Sequence, residues 1–267
     1  MSIHLETGNR ITTVTITRPE ARNAVDPATA TALYQAFLDF EADKAADVAI
    51  LTGEGAAFCA GFDLKAAAAG VDAGWLERHA IPDDWNDPGA HPLPSPMGPA
   101  RLALSKPVIA AIEGPAVAGG MELALWCDVR IIGEGGYFGV FCRRWGVPLI
   151  DGGTVRLPGI VGAGRAADLI LTGRAVAANE ALAIGLANRV VPDGSALAAA
   201  RDYAAQLLKF PQACLRADRA SAALSGAALA TALRREWQSA PLIRTEAASG
   251  AARFAEGRGR GGDFGDI

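Results

Sequence analysis

The sequence predicts an α/β fold followed by a helical C-terminal region. Short apolar segments recur through the first part of the chain, and each is followed by a glycine-containing turn and a helical pattern. Short strands that alternate with helices are typical of α/β domains. After about Gly162, alanine- and leucine-rich helical patterns replace the β-branched runs.

The first elements are predicted from local pattern. Val14 and Ile16 alternate with threonines, which predicts a half-buried strand. Asp26 followed by Pro27 predicts a helix start, because aspartate is a preferred N-cap and proline suits the first helical position. We expect that helix to continue to about Asp43. Further short strands are predicted at residues 48–51, 107–112 and 129–132.

The later part of the chain is predicted to be helical. Helices are expected at residues 163–172, 178–184 and 195–209. We divide the chain into a core at residues 1–200 and a helical region at residues 201–267. Residues 70–99 look irregular and proline-rich, and they contain Trp75 and Trp85. Long loops are often functional, and the sequence leaves open whether this one lines a pocket or forms a solvent-exposed flap.

Composition and charge exclude several classes of protein. With 267 residues, 51% hydrophobic and 20% charged, the chain does not have the composition of a disordered protein. It has 25 Lys and Arg against 29 Asp and Glu, so it lacks the basic excess of nucleic-acid-binding proteins. The scattered cysteines and histidines predict neither a disulfide framework nor a bound metal. We expect neither a signal peptide nor an apolar membrane span, and we expect a cytoplasmic location.

Three glycine-containing turns are the candidates for chemistry, at residues 58–65, 113–123 and 145–154. In the second, Gly119 and Gly120 follow a predicted strand and precede a helical pattern. The N–H groups at a helix N-terminus lack intrahelical acceptors, so they can bind an oxygen that gains negative charge. Glu122 follows Gly119 by three residues and lies on the same side of the helix. Close packing of the glycine is the alternative explanation of this pattern.

Together the three turns resemble those of the crotonase superfamily, the enoyl-CoA hydratase/isomerase family. The resemblance covers nearly the whole chain, and the matching motifs occur in the family's order. They are RPEARNA at residues 18–24, FCAGFDL at 58–64, the segment at 106–128, LTGR at 171–174 and EALAIGL at 180–186. The resemblance implies a crotonase-like spiral of β-β-α turns with a helical C-terminal trimerisation region, and a homotrimer or homohexamer.

The resemblance also implies which residues act on an acyl-CoA thioester. The N–H groups of Ala60 and Gly119 are expected to form an oxyanion hole for the thioester oxygen, with no metal or other cofactor. Contacts with the substrate and its CoA are expected from Arg22, Ala60, Gly61, Phe62, Asp63, Lys65 and Gly119. Arg22 and Lys65 are the candidate cations for the CoA phosphates, and ordinary surface charge is the alternative reading of both.

The sequence departs from the family pattern at the second catalytic acid. Hydratases of this family use two glutamates, and Glu122 matches the first. Cys142 stands at the second position, where a thiol is a poor substitute for a carboxylate at neutral pH. We interpret Cys142 as a packed thiol and expect Asp151 to replace the missing glutamate. A turn-forming or N-cap role for Asp151 is the alternative.

We therefore predict an enoyl-CoA hydratase in which Glu122 and Asp151 are the paired carboxylates. An enoyl-CoA double-bond isomerase, in which one carboxylate shuttles the proton and no water enters, is the main alternative. Thioester hydrolysis, decarboxylation and acyl-CoA binding without turnover also stay open, since fold does not dictate reaction. The sequence does not identify the acyl chain.

Overall fold

The structure is a computed structural model that describes residues 2–69 and 74–258. Within these residues a larger sheet has the strand order β1-β2-β3-β4-β6-β9 and a smaller sheet the order β5-β7-β8. The strands are β1 (Ile3–Gly8), β2 (Ile11–Ile16), β3 (Val48–Gly53), β4 (Val108–Ile112), β5 (Pro115–Val117), β6 (Val129–Gly133), β7 (Tyr137–Gly139), β8 (Ala175–Ala177) and β9 (Arg189–Val191).

Helices lie between these strands and then form the C-terminal region. They are α1 (Pro27–Ala42), α2 (Leu64–Ala68), α3 (Trp75–Arg78), α4 (Gly119–Trp126), α5 (Gly153–Val161), α6 (Ala163–Thr172), α7 (Ala178–Ala183), α8 (Ala196–Leu207), α9 (Gln212–Ala222), α10 (Gly226–Trp237) and α11 (Glu246–Ala255). Short 3-10 turns occur at Pro19–Ala21, Pro99–Arg101, Phe141–Trp145 and Ala240–Arg244. The predicted α/β class and helical C-terminal region are confirmed.

The central strands of the larger sheet are buried on both faces. Strands β2, β3, β4, β6 and β9 pair in parallel, and β1 pairs antiparallel with β2. In β3, Val48 and Ile50 belong to the cluster that includes α8, whereas Ala49 and Leu51 belong to the central core. This double burial explains the continuous apolar runs of the sequence. Thr13 of β2 is also buried, so the expectation that β2 is only half-buried is wrong at Thr13.

The predicted start of α1 is confirmed at its N-cap. The Asp26 side chain accepts a hydrogen bond of 2.8 Å from the Thr29 N–H, and Pro27 is the first helical residue. Since the first N–H groups of a helix lack intrahelical acceptors, this carboxylate satisfies one of them. The strands predicted at residues 48–51, 107–112 and 129–132 and the helix at 163–172 are also present.

The division of the chain at residue 200 stays a prediction. Helix α8 continues through that position, and its Ala196, Ala200 and Ala204 pack on the larger sheet. Small side chains at this helical spacing let the helix lie close to the strands. In the described part of the chain, no helix combines the length and apolar character needed to cross a membrane.

Candidate active site

Two of the three glycine-containing turns lie against each other. The Cys59 N–H donates to the carbonyl of Pro115 and the Val117 N–H donates to the carbonyl of Cys59, both at 3.0 Å. Gly61 has a φ of +94°, and a Cβ atom there would lie 2.9 Å from the Ala118 Cβ and 3.0 Å from the Gly119 nitrogen. Only glycine fits this close approach. The first turn is thereby fixed against the N-terminus of α4.

The backbone just before α4 has a rare conformation. Ala118 has φ 52° and ψ −127°, a region that non-glycine residues seldom adopt. Its N–H donates to the Gly139 carbonyl at 2.8 Å, so β7 helps to hold it there. Strain of this kind persists where surrounding contacts fix the backbone, often at functional sites. The position of the next N–H group, that of Gly119, is set by this conformation.

The hydrogen-bond donors that these turns offer to a ligand are not the expected pair of Ala60 and Gly119 N–H groups. The Ala60 N–H donates to the carbonyl of Arg22 at 3.0 Å, so it is engaged in holding the turn, which contradicts the expected oxyanion role. Among the described residues, none accepts a hydrogen bond from the N–H of Phe62 or Gly119. Both of these residues line one large cavity. Phe62 therefore replaces Ala60 as the candidate donor beside Gly119.

The cavity has a volume of about 900 Å³ and is lined by both charged and apolar side chains. The charged residues that line it are Arg18, Glu20, Arg22, Asp63, Lys65, Glu122, Arg144, Asp151 and Arg244. Apolar walls are formed by Phe62, Trp75, Met97, Trp145, Ile150, Ile243, Ala247, Ala251 and Phe254, among others. A cleft that is mostly apolar with a few convergent polar groups is the usual form of a small-molecule site.

The expected substrate contacts are placed differently by the structure. Arg22 and the exposed Lys65 line the cavity. Asp63 also lines it, but its Oδ1 accepts the Lys65 and Ala66 N–H groups and its Oδ2 accepts from Arg18 at 2.9 Å. Its role is to cap α2. Gly61 is buried behind the wall and does not line the cavity, so its predicted substrate contact is corrected to close packing of the two turns.

Glu122 and Asp151 lie side by side at the wall of the cavity. Glu122 belongs to the first turn of α4, and Asp151 precedes α5. Glu122 Oε1 accepts hydrogen bonds of 2.9 Å from the N–H groups of Asp151 and Gly153. No described residue donates to Glu122 Oε2. Asp151 does not cap α5, since its Oδ1 accepts the Met97 N–H at 2.9 Å.

Burial raises the pKa of both carboxyl groups. For Glu122, desolvation is the largest cause, and the charges of Asp151 and Glu236 raise its pKa further, well above the usual range. For Asp151, desolvation also raises the pKa, while hydrogen bonds from Ser95 and Met97 and the charge of Arg101 oppose the increase. Like charges this close disfavour double ionisation. The pair is suited to hold and move a proton near neutral pH.

The raised pKa of Glu122 predicts that the stability difference between Glu122→Gln and wild type depends on pH. A carboxyl whose folded pKa lies above its ordinary value of 4.5 stabilises the folded state while protonated, and that contribution is lost as pH rises through the folded pKa. Glutamine does not titrate. The free energy of unfolding of the variant, relative to wild type, should therefore increase as pH rises from about 4.5. Urea unfolding at a series of pH values measures it, and a constant difference would contradict the raised pKa.

A third buried carboxylate, Glu236 of α10, was not found by sequence reasoning. Its Oε2 accepts the Gly152 N–H at 2.6 Å, and its Oε1 accepts the Thr154 N–H and hydroxyl, both at 2.8 Å. Desolvation raises its pKa. No motif surrounds Glu236 in the sequence, and only the packing of α10 against α5 brings it to this turn.

Two arginines, the buried Arg101 and the half-buried Arg156, compensate the acidic cluster. Arg101 is 1% exposed and donates to the carbonyls of His79 and Pro94, and desolvation lowers its pKa to about 10. Arg156 donates to the carbonyls of Asp151 and Ala100. Positive charge near buried carboxylates offsets part of the cost of their ionised forms. Within the described residues, no three His, Cys, Asp or Glu side chains are grouped as metal ligands.

Cys142 is a buried thiol beside the acidic pair. It lines the cavity and is 5% exposed. Desolvation, with the charge of Glu122 as a further cause, raises its pKa to about 12. A thiol with this pKa stays protonated at neutral pH, so it does not serve as a base.

We expect Cys142→Ser to keep kcat within about threefold of wild type, because a hydroxyl replaces the thiol with little change of volume. Steady-state kinetics across pH measure the effect. A loss of more than a hundredfold, with the fold intact by circular dichroism, would return Cys142 to the reacting groups.

The irregular segment contributes to the cavity wall. Trp75 lies edge-on to Phe62, with ring centroids 5.7 Å apart, and Met97 lies next to Gly119. Trp85 instead packs in a cluster with Leu229 and Leu233 of α10. The described part of the segment, residues 74–99, therefore lines the cavity at some positions and covers α10 at others. Residues 70–73 lie outside the described residues.

Helix α11 forms part of the wall of the cavity. Gly250 lies so close to the 3-10 turn at Phe141–Trp145 that a Cβ atom would be 1.9 Å from the Trp145 carbonyl oxygen. Phe254 meets the Trp145 ring edge-on at a centroid distance of 5.3 Å. The alanines of α11 beside them complete the wall. The sequence pattern predicts a helix in this region but does not predict that it packs against the cavity.

Comparison with known proteins identifies the family. The family model described as enoyl-CoA hydratase/isomerase matches residues 6–93 and 98–260. Enoyl-CoA hydratase EchA19 of Mycobacterium tuberculosis is 39% identical over 198 residues, covering 72% of this chain and 68% of that protein. Carnitinyl-CoA dehydratase of Salmonella typhi is 38% identical over 209 residues, covering 78% and 74%.

Solved structures lead to the same conclusion. The crystal structure of a carnitinyl-CoA hydratase from Mycobacterium avium has a TM-score of 0.81 at 31% identity, covering 96% of both chains. An enoyl-CoA hydratase from the same organism has a TM-score of 0.67 at 34% identity, covering 96% of this chain and 99% of that one. The chain belongs to the enoyl-CoA hydratase/isomerase family of the crotonase superfamily.

Proposed function

We propose that this protein is an enoyl-CoA hydratase that adds water across the double bond of a 2-enoyl-CoA thioester. The observation that carries the proposal is that one cavity is shared by two buried carboxylates, Glu122 and Asp151, and by the N–H groups of Phe62 and Gly119, for which the described residues supply no acceptor. The names of the relatives support a hydratase, since two of them are an enoyl-CoA hydratase and a carnitinyl-CoA dehydratase.

The oxyanion donors act on the thioester oxygen. As water attacks C3, the electrons of the double bond move toward the carbonyl, and the oxygen gains negative charge. The N–H groups of Phe62 and Gly119 are fixed by the fold before the reaction, so they stabilise this enolate without reorganisation. Loss of one such donor typically costs about 3–4 kcal/mol of barrier.

The two carboxylates divide the proton transfers. Glu122 Oε1 is held by two N–H groups, which leaves Oε2 to take a proton from the attacking water. Asp151 supplies a proton to C2 as the enolate collapses to the 3-hydroxyacyl thioester. The raised pKa of both groups favours one shared proton between them. One proton enters at Glu122 from water and one leaves Asp151 for C2, and transfer of the shared proton from Glu122 to Asp151 then restores the pair.

The mixed lining of the cavity suits the two ends of an acyl-CoA. Arg22 and Lys65 are proposed to face the CoA phosphates, since cations are needed there and both residues line the cavity. Arg18 is engaged with Asp63 and Asp26, so it supports the turn instead. The apolar and aromatic walls receive the acyl group. The reaction needs no metal or further cofactor in this proposal.

An enoyl-CoA isomerase is the second candidate. The observation that favours it is Cys142, which stands where hydratases of the family carry a second glutamate. In this alternative, one carboxylate moves a proton between C2 and C4 of a 3-enoyl thioester, and the same N–H groups stabilise the dienolate. The homotrimer or homohexamer and the cytoplasmic location stay predictions from the resemblance and the sequence.

Mass spectrometry of the purified protein with 2-enoyl- and 3-enoyl-CoA thioesters separates the candidates. The hydratase predicts a product heavier by one water from the 2-enoyl substrate. Conversion of the 3-enoyl substrate at unchanged mass, with no hydration, would show an isomerase instead. Binding of both thioesters without any product would overturn both proposals.

A further inference from the structure

Glu236 lies outside the cavity wall but is tied to the turn that carries Asp151. It is 7% exposed and belongs to α10. Three donors satisfy it, the N–H groups of Gly152 and Thr154 and the Thr154 hydroxyl. A buried carboxylate is retained in a fold only when it is hydrogen-bonded and compensated in this way.

The turn from Asp151 to Thr154 is held from two sides. Its four successive N–H groups alternate between two carboxylates: those of Asp151 and Gly153 donate to Glu122, and those of Gly152 and Thr154 donate to Glu236. The first N–H groups of α5 have no intrahelical acceptors, so the two side chains replace them. Any shift of Glu236 is therefore transmitted through one turn to Glu122.

We propose that Glu236 is a positioning residue for the Glu122–Asp151 pair. It fixes the turn from Asp151 to Thr154 and thereby holds both reacting carboxylates at the cavity wall. Glu236 is not among the described residues that line the cavity, so it acts through the turn and does not contact the substrate. The inference rests on the proposed function, since it assigns the pair a role in proton transfer.

The charge of Glu236 adds a second effect to its geometry. The titratable and charged groups around it are Glu122 of α4, Asp151 of the turn, Arg156 of α5 and Arg101 of the 3-10 turn. The negative charge of Glu236 raises the pKa of Glu122. Removing that charge lowers the pKa of Glu122, which moves the acid limb of the kcat/KM profile to lower pH.

Glu236→Gln tests the proposal against a matched control, Glu113→Gln. Glu113 also accepts a helix N-terminal N–H, that of Ala196 at 2.9 Å, but it does not line the cavity. With crotonyl-CoA and a longer 2-enoyl-CoA, Glu236→Gln should lower kcat about 100-fold and shift the acid limb to lower pH, because small displacements of reacting groups are costly. Glu113→Gln should change kcat by less than about twofold and should leave the acid limb at its wild-type position.

Thr154→Val is a milder change at the same contact. It removes the hydroxyl that donates to Glu236 and keeps the carboxyl group, so we expect a smaller loss of kcat and a smaller shift of the acid limb than in Glu236→Gln. The variant is close to isosteric and keeps the Thr154 N–H, so it also serves if Glu236→Gln does not fold.

Amide hydrogen exchange gives a readout that is independent of turnover. A peptide spanning residues 151–157 should exchange about tenfold faster in Glu236→Gln and faster in Thr154→Val, but not in Glu113→Gln. Unchanged amide exchange in Glu236→Gln would overturn the inference. A fall in kcat that is fully explained by loss of folded protein, with the acid limb at its wild-type position, would overturn it as well. If wild type converts no enoyl-CoA, the proposed function fails, while the exchange rates still decide whether Glu236 holds the turn.

Discussion

Glu122→Gln is expected to lower kcat by about a thousandfold or more, with acyl-CoA binding nearly intact. The Gln oxygen can still accept the N–H groups of Asp151 and Gly153, so the turn keeps its place. An amide cannot take a proton from water, however, and the reaction loses its base. Steady-state kinetics with a 2-enoyl-CoA measure the loss, and isothermal titration with a non-reacting acyl-CoA measures the affinity.

Glu113→Gln is the matched control for this experiment as well. It makes the same chemical change at a carboxylate away from the cavity, so its kcat should stay near that of wild type. Normal turnover in Glu122→Gln would contradict the proposed role and place the base at another group.

Asp151→Asn is expected to lower kcat by about 100-fold or more. Asparagine can keep the hydrogen bond from the Met97 N–H, but it cannot donate the proton that C2 requires. We expect the larger loss in the hydration direction at higher pH, where the remaining carboxyl, Glu122, is ionised and supplies no proton either. The pH dependence of kcat in both directions measures this effect.

The outcome for Asp151→Asn also separates the two candidate reactions. If hydration continues at the wild-type rate while isomerisation of a 3-enoyl-CoA is lost, Asp151 serves the isomerase reaction and not the hydratase reaction. If Asp151→Asn changes hydration and isomerisation equally and only slightly, Asp151 is not a reacting group and serves only to support the Met97 backbone.

Local patterns were sufficient to predict much of the fold. The helix start at Asp26 and Pro27 and the apolar run at residues 48–51 each depend on neighbouring residues alone. Strands of three residues, such as β5 and β8, carry too few residues for a periodic signal. The burial of Thr13 depends on which elements cover the sheet, which a single strand cannot show.

The site was only partly accessible from sequence for a similar reason. Glu122 and Gly119 lie on one turn of helix, so their proximity follows from spacing. The engaged N–H of Ala60 could not be predicted, because its acceptor is a carbonyl that the fold brings from Arg22. Glu236 and Arg101 reach the cluster from distant segments, and no local pattern marks them. What marks these two residues is that their charged side chains are buried, and burial is seen only in the structure.

Turnover of a 2-enoyl-CoA by the wild-type protein in D₂O tests the central claim most directly. Hydration across the double bond places one deuterium on C2 and a deuterated oxygen on C3. The proposal therefore predicts, by NMR of the product, a 3-hydroxyacyl-CoA with one deuterium at C2 in a single configuration. A substrate recovered without added water, or shifted to a 3-enoyl isomer carrying deuterium, would contradict the assignment of a hydratase.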